Sequence, residues 1–268
     1  MSPLKSFICP DNTKITTEQC LAKCPRPQGR CLSLPTLMEV SYDRVYNGTP
    51  STTQLLNPTR YEYLKIKYDY MINPFNRAFA LLGTRHHRRL ELIAKRLENL
   101  QAEKKLTGEI SGVVDLLEPN GENTFRLIDY KTFGNYQMVK LQDENSPEYQ
   151  KLALQCCNYR LMAQELGFAI TEIFAQVTIR DGGTWVARKN GICERMIFMP
   201  VKILDDDFVK DYFISKEFKL KDALIKNELP ELCDYQNRWG NRRCSPEFCE
   251  VVSHCPEGAS MNKMPLET

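Results

Sequence analysis

The sequence has little that would direct it to a membrane or give it a strong overall charge. No apolar run approaches the roughly 20 residues that a bilayer-spanning helix needs, and residues 1–14 lack the apolar core of a secretory leader. The net charge over 268 residues is only +2, so a surface for nucleic acid must be local. We therefore expect an intracellular protein with no membrane partner, built as one large domain or two small ones.

Cysteine, by contrast, is abundant, with eleven residues. Intracellular chains rarely keep disulfides, so this number favours metal or iron–sulfur ligation. Eight of the cysteines form two groups, each able to supply four thiolates to one zinc ion or one cubane cluster. The N-terminal group is Cys9, Cys20, Cys24 and Cys31, and the C-terminal group is Cys233, Cys244, Cys249 and Cys255. The other three, Cys156, Cys157 and Cys193, are predicted to pack in the core.

The segment from Gly108 to Lys131 predicts a β-hairpin. Two runs rich in Val, Leu and Ile flank a turn rich in Pro, Asn and Gly. If the turn centres near residues 120 and 121, Asp115 lies level with Asp129, within one residue. Asp129 and Lys131 are two positions apart, so their side chains lie on one face of the second strand.

Carboxylates beside an apolar core are costly unless they have a partner. Carboxylate oxygens are the ligands that Mg²⁺ and Mn²⁺ prefer, so Asp115 and Asp129 predict a divalent-metal site, with Lys131 beside it. The alternative is that both aspartates are surface strand residues, one of them in a salt bridge with Lys131.

Residues 83–103 have the periodicity of an amphipathic helix. Two of the three histidines in the chain stand at its start, which favours His87 as a metal ligand. Five basic side chains would form a face suited to phosphates, or equally a solvated surface. They are Arg85, Arg88, Arg89, Lys95 and Arg96.

A second helix is predicted from Ser146 to about Leu166, with Gln155 and Tyr159 on one face. Strands are predicted at 170–180, 184–189 and 195–204, and a charged helix from 205 to about 227. This order of helices and strands indicates a mixed α/β (α+β) fold.

These motifs resemble those of the RecB-type branch of the PD-(D/E)XK nucleases. The shared pattern is Gly-Thr-x-x-His at 83–87, Gly-x-x-Asp at 112–115, Asp-x-Lys at 129–131 and Gln-x-x-x-Tyr at 155–159. The C-terminal cysteines are similar to those of the iron–sulfur members, which include the CRISPR-associated protein 4 exonucleases. The resemblance implies a restriction-endonuclease-like core at 36–230, a central mixed sheet flanked by helices, between cysteine-rich metal knuckles at 1–35 and 231–268.

The resemblance also implies roles for individual residues. His87, Asp115, Asp129 and the main-chain carbonyl of Tyr130 would bind Mg²⁺ or Mn²⁺. Lys131 would position or activate the attacking water, and Gln155 and Tyr159 would hold the DNA strand. The implied activity is hydrolysis of DNA by an exonuclease acting on single-stranded ends, with proteins of CRISPR adaptation or recombination as further partners.

The cysteines depart from the pattern of that family. Members usually have a cluster cysteine after an N-terminal Ser-and-Leu motif, where this chain has residues 57–59, Asn-Pro-Thr. The C-terminal trio is spaced by four and five residues instead of two and five. Three arrangements remain open: a C-terminal 4Fe–4S cluster with an N-terminal metal knuckle, one shared cluster, or two zinc ions. The alternative functions are a non-catalytic nucleic-acid-binding protein with zinc-held knuckles and a redox protein.

Overall fold

The structure is a computed structural model, and it describes residues 3–97 and 99–263. The strands are β1 Leu4–Ile8, β2 Lys14–Thr16, β3 Tyr70–Ile72, β4 Gln101–Leu106, β5 Gly112–Gly121, β6 Thr124–Phe133, β7 Ala169–Ile179 and β8 Met196–Pro200. The helices are α1 Thr17–Ala22, α2 Leu34–Ser41, α3 Thr52–Leu56, α4 Thr59–Lys67, α5 Ala78–Ala94, α6 Asn135–Leu141, α7 Pro147–Glu165, α8 Trp185–Lys189, α9 Asp206–Lys226 and α10 Pro256–Met261. In these ranges no helix has both the length and the apolar character to cross a membrane.

The chain divides into two units. The first comprises Met1–Gly48, Asn57–Leu81 and Phe218–Thr268, and the second comprises Thr49–Leu56 and Leu82–Glu217. The second unit contains a five-stranded sheet in the order β4-β5-β6-β7-β8. Strands β6 and β7 are parallel, and the other neighbours are antiparallel. The predicted mixed α/β architecture, a central mixed sheet flanked by helices, is confirmed.

Helix α7 connects the two parallel strands, because parallel neighbours need a crossover of a dozen or more residues. Ser146 caps the helix by accepting a hydrogen bond from the Tyr149 amide at 3.0 Å. Cys156 and Cys157 are fully buried on α7, so their predicted packing role is confirmed. The same prediction is wrong for Cys193, which is exposed because it lies in the loop before β8.

The predicted hairpin is formed by β5 and β6. Leu116 pairs with Ile128, and the same register places Asp115 opposite Asp129, as the sequence predicted. The turn itself lies at 122–123, two residues later than expected. Gly121 pairs with Thr124 across this turn, and a one-residue register shift between Pro119 and Gly121 then sets the pairing of Leu116 with Ile128.

Two sequence-based assignments are wrong. The helix predicted over 83–103 is α5, which begins earlier and ends at Ala94, and the last predicted helical residues form strand β4. Residues 184–189 were predicted as a strand but contain α8, because the Thr184 side chain accepts a hydrogen bond from the Ala187 amide and caps a helix. The predicted helices at 146–166 and 205–227 match α7 and α9.

The first unit contains a three-stranded sheet in the order β2-β1-β3. Strand β1 is antiparallel to β2 and parallel to β3. Phe7, Leu37 and Tyr70 are among its buried side chains. Both cysteine groups fall within this unit.

Candidate active site

The hairpin β5–β6 positions the first two carboxylates. Asp115 is held from the opposite strand, because the Tyr130 main-chain amide donates a hydrogen bond to Asp115 Oδ2 at 2.7 Å. The Asp115 side chain is 13% exposed, so it remains accessible to a small ligand. Tyr130 lies between Asp129 and Lys131 on β6, and burial raises the pKa of its hydroxyl to about 12.

Helix α5 brings the predicted histidine to this hairpin. His87 Nδ1 lies 3.3 Å from Asp115 Oδ1, and its ring meets the edge of the Tyr130 ring at a centroid distance of 5.9 Å. The hydrogen bond with Asp115 raises the pKa of His87 above its usual value. A cation bound here would compete with that proton for the imidazole.

The remaining predicted residues form a chain of polar contacts that runs from β6 to α7. Lys131 Nζ lies 2.8 Å from Asp129 Oδ2 and donates a hydrogen bond to Gln155 Oε1 at 3.1 Å. The Gln155 side-chain amide in turn donates to the Tyr159 hydroxyl at 3.3 Å. The structure therefore brings Asp129, Lys131, Gln155 and Tyr159 together.

The ion pair between Asp129 and Lys131 is deeply placed. Asp129 is only 3% exposed, and burial raises the pKa of its carboxyl, with Lys131 opposing this effect and Asp115 adding to it. Burial alone would lower the pKa of Lys131, but Asp129 raises it above its ordinary value, so the ammonium is protonated at neutral pH. Asp129 Oδ2 accepts no aligned hydrogen bond, although Lys131 lies close to it.

Sequence reasoning missed one residue of this site, Glu103. It lies on β4, where the pairs Ala102 with Leu116 and Lys104 with Val114 place it opposite Asp115. Its φ of +49° is in the left-handed region, which costs about 1–2 kcal/mol for a non-glycine residue. Burial raises the pKa of the Glu103 carboxyl, and the nearby Asp115 adds to this effect.

The three side chains His87, Glu103 and Asp115 are able to hold a divalent cation. Their ligand atoms all lie within 4.8 Å of one another, and each side chain is partly accessible. Two carboxylates and one imidazole form a ligand set that suits Mn²⁺ or Mg²⁺. The cleft beside them is lined by His87, Glu103, Glu91, Arg88, Thr84 and Gly83. Arg88 is exposed there and suits a phosphate group.

Gly112 shows why the Gly-x-x-Asp motif requires its glycine. A Cβ atom at this position would lie 2.7 Å from Tyr159 Cε1 and 3.4 Å from Thr52 Oγ1.

We expect Gly112→Ala to displace Tyr159, to lower activity and to cost about 1–3 kcal/mol of stability. Chemical denaturation and a nuclease assay check this. Gly108→Ala is the matched control, because its nearest contact would be 3.6 Å from Ile110 O, and an equal loss there would contradict the steric explanation.

Each cysteine group is gathered in one place. The C-terminal four line a single cavity, together with Arg60, Arg238, Arg243 and several apolar side chains. In the N-terminal group, burial raises the pKa of the Cys20 thiol, and nearby Cys24, Cys31 and Cys9 add to this effect. Among the described residues, no three thiol sulfurs lie within 4.8 Å of one another.

A mixed sheet that carries two aspartates and a lysine, with a histidine brought to it by a helix, is the arrangement of a class of metal-dependent nucleases. The model of the PD-(D/E)XK nuclease superfamily matches residues 37–256. The chain belongs to this superfamily, whose members are in general divalent-metal-dependent nucleases.

Among curated proteins, none matches the chain. Among solved structures, the chain is similar to one titled "Crystal structure of SSO0001", with 16% sequence identity and a TM-score of 0.48. The match covers 90% of this chain and 96% of that one.

Proposed function

We propose that this protein is a DNA exonuclease that hydrolyses phosphodiester bonds at single-stranded ends, using Mg²⁺ or Mn²⁺. The observation that carries the proposal is the pairing of β5 with β6, which sets Asp115 opposite Asp129. His87 lies 3.3 Å from Asp115, and Lys131 lies 2.8 Å from Asp129. The preference for single-stranded ends rests on the resemblance to the iron–sulfur branch. Partners in CRISPR adaptation or recombination, and an intracellular location, belong to the same proposal.

The residues of the site divide the work between them. His87, Asp115 and Asp129, with the Tyr130 carbonyl, would hold the metal, which when bound neutralises phosphate charge and activates water. Lys131 is protonated and fixed between Asp129 and Gln155, so Nζ acts as a hydrogen-bond donor to developing negative charge.

On the strand-binding side, Gln155 and Tyr159 are joined to each other and to Lys131. A DNA strand held by these two side chains would therefore be aligned with Lys131. Arg88, exposed at the cleft, would bind the backbone phosphates.

The C-terminal cysteines are proposed to hold a structural 4Fe–4S cluster. Four thiols around one cavity supply a complete ligand set. The three arginines at the cavity balance the negative charge of thiolates, and Arg60 Nη1 donates to Cys255 Sγ at 3.7 Å. A single zinc, with Zn–S bonds of about 2.3 Å, requires sulfurs only about 3.8 Å apart. No three of the described thiol sulfurs all lie within 4.8 Å of one another, so a single zinc would require these side chains to move closer together. The preference for a cluster rests on the resemblance to the iron–sulfur members.

The N-terminal cysteines are proposed to form a second metal site, taking a zinc ion or a second cluster. Cys9 and Cys20 are buried, and Cys24 and Cys31 are half-buried. These residues precede the segment matched by the superfamily model, which begins at residue 37. The site would therefore be an addition to the nuclease core that holds the N-terminal segment in place.

The test is an anaerobic purification followed by metal analysis and a cleavage assay. We expect visible absorption from thiolate-to-iron charge transfer, with about four irons and four sulfides for each cluster. End-labelled single-stranded, duplex and circular DNA would then be incubated with Mn²⁺, Mg²⁺ or EDTA. Metal-dependent shortening of linear single strands, with circles intact, is the expected result. Binding without cleavage in any divalent metal would contradict the proposal and favour a binding protein.

A further inference from the structure

Glu103 occupies a position that none of the four motifs includes. It comes from the edge strand β4, whereas His87 comes from α5 and Asp115 from β5. Three separate elements therefore deliver three ligand atoms to within 4.8 Å of one another. The two carboxylates and the imidazole supply both oxygen and nitrogen donors.

The surroundings of Glu103 call for a positive charge. Its carboxylate is half-buried, and Asp115 and Glu91 both act on it as like charges. The nearest basic groups that offset this are His87 and Lys95. Lys95, the first residue after α5, is ion-paired with Glu91. A divalent cation between Glu103 and Asp115 would compensate both carboxylates at once.

Asp129 is differently placed from Glu103. Its carboxylate is almost fully buried, lies against the Lys131 ammonium, and does not belong to the compact group formed by the other three side chains. In the absence of DNA, a cation that approaches the cleft meets His87, Glu103 and Asp115 first, because these three side chains are partly accessible.

We propose that Glu103 is a ligand of the divalent cation and that, without DNA, Glu103 rather than Asp129 completes the side-chain set with His87 and Asp115. The proposal rests on the proposed function for the use of a divalent cation by this site. It adds a metal ligand from β4 and assigns Asp129 a main role as the partner of Lys131 before substrate arrives.

The test is calorimetric titration of Mn²⁺ into the full-length protein, with its cysteine sites loaded and no DNA present. We expect Glu103→Gln to weaken Mn²⁺ binding at least ~10-fold, and Asp129→Asn to weaken it less. Glu122→Gln is the matched control, because Glu122 is an exposed glutamate in the β5–β6 turn. Wild-type Mn²⁺ affinity in Glu103→Gln, or an equal loss in Glu122→Gln, would overturn the proposal.

A second variant distinguishes a loss of metal binding from a loss of folding. Glycine suits the left-handed backbone at this position, so Glu103→Gly is expected to keep or raise the melting temperature of the metal-free protein. The same variant is expected to lose most of the Mn²⁺-induced rise in melting temperature. A full Mn²⁺-induced rise in Glu103→Gly would contradict the assignment.

The outcomes separate this inference from the proposed function. If Mn²⁺ binding depends on Glu103 but the protein cleaves no DNA, the assignment of Glu103 as a metal ligand is supported and the nuclease proposal is rejected. If the protein cleaves DNA with Mn²⁺ but Glu103→Gln leaves the Mn²⁺ affinity unchanged, the nuclease proposal is supported and the assignment of Glu103 as a metal ligand is rejected.

Discussion

Lys131→Met is expected to reduce DNA cleavage by at least ~100-fold, the range that proton-transferring and charge-stabilising groups supply. The ammonium is held between Asp129 Oδ2 at 2.8 Å and Gln155 Oε1 at 3.1 Å. Methionine keeps most of the volume of the side chain and removes the charge. Single-turnover cleavage of a labelled single strand, at saturating Mn²⁺, measures the chemical step directly.

A loss of activity in Lys131→Met has to be separated from a loss of stability. Removing one partner of a buried ion pair leaves the other charge uncompensated and costs about 3–5 kcal/mol. Asp129 is 3% exposed, so Lys131→Met and Asp129→Asn are each expected to unfold more easily than the wild type. The double variant Asp129→Asn/Lys131→Met is expected to recover stability but not cleavage.

This double variant makes the prediction falsifiable. If the double variant is folded by circular dichroism and binds DNA, its inactivity reflects the chemistry of the pair. Cleavage at the wild-type rate in a folded Lys131→Met protein would contradict the role given to Lys131. Lys140→Met serves as a control, because Lys140 is exposed and paired with Glu148 outside the site.

The sequence predicted the hairpin well because its register depends on local chemistry. The alternation of apolar residues fixes which side chains face one side of a strand, and a one-residue slip would turn Asp129 to the opposite face. The turn lies two residues later than predicted, and the observed pairing depends on this later turn together with a one-residue register shift near Pro119 and Gly121. Turn composition alone did not reveal that shift.

Glu103 could not be found in the same way. The stretch from Leu97 to Glu103 continues the charged, helix-favouring composition of α5, and helical periodicity extends into it. The structure instead ends α5 at Ala94 and forms β4, which pairs along its length with β5. That pairing is a tertiary contact, and tertiary context overrides local propensity. The nearest signal in the sequence is a lone glutamate, which carries no weight by itself.

The cysteine groups were predicted in part, less completely than the hairpin but better than Glu103. Their spacing predicted two clusters of thiols, and each group is gathered in the structure, but spacing alone does not distinguish zinc from iron–sulfur ligation. The arginines at the C-terminal cavity come from two distant segments, residue 60 and residues 238–243. Sequence reasoning cannot assemble such a cavity, because only the fold brings those segments together.

The second large effect is expected from Cys244→Ser, which should remove the cluster and destabilise the first unit. The four C-terminal thiols lie between α9 and α10, in a segment built mainly of turns. Its backbone hydrogen bonds are short-range, such as Cys249 N to Ser245 O at 2.8 Å, so a metal would supply the link between its separate turns. A site that contributes only about 4 kcal/mol, well below the values for structural zinc, lowers the melting temperature by roughly 8–16 °C in a protein of this size.

The protonation of the thiols explains why the C-terminal site would contribute little stability without a metal. Burial raises the pKa of Cys249 to about 12 and also raises the pKa values of Cys233 and Cys244, so metal-free thiols stay protonated at neutral pH. Arg243 then faces these neutral thiols instead of thiolates. Metal loading deprotonates the thiols, and the arginines become their counter-charges.

Scanning calorimetry with iron analysis measures both the loss of the cluster and the loss of stability in Cys244→Ser. Cys193→Ser is the control because Cys193 is exposed and outside the cavity. A Cys244→Ser protein that keeps wild-type iron content and melting temperature would show that the C-terminal cysteines do not hold the chain through a metal.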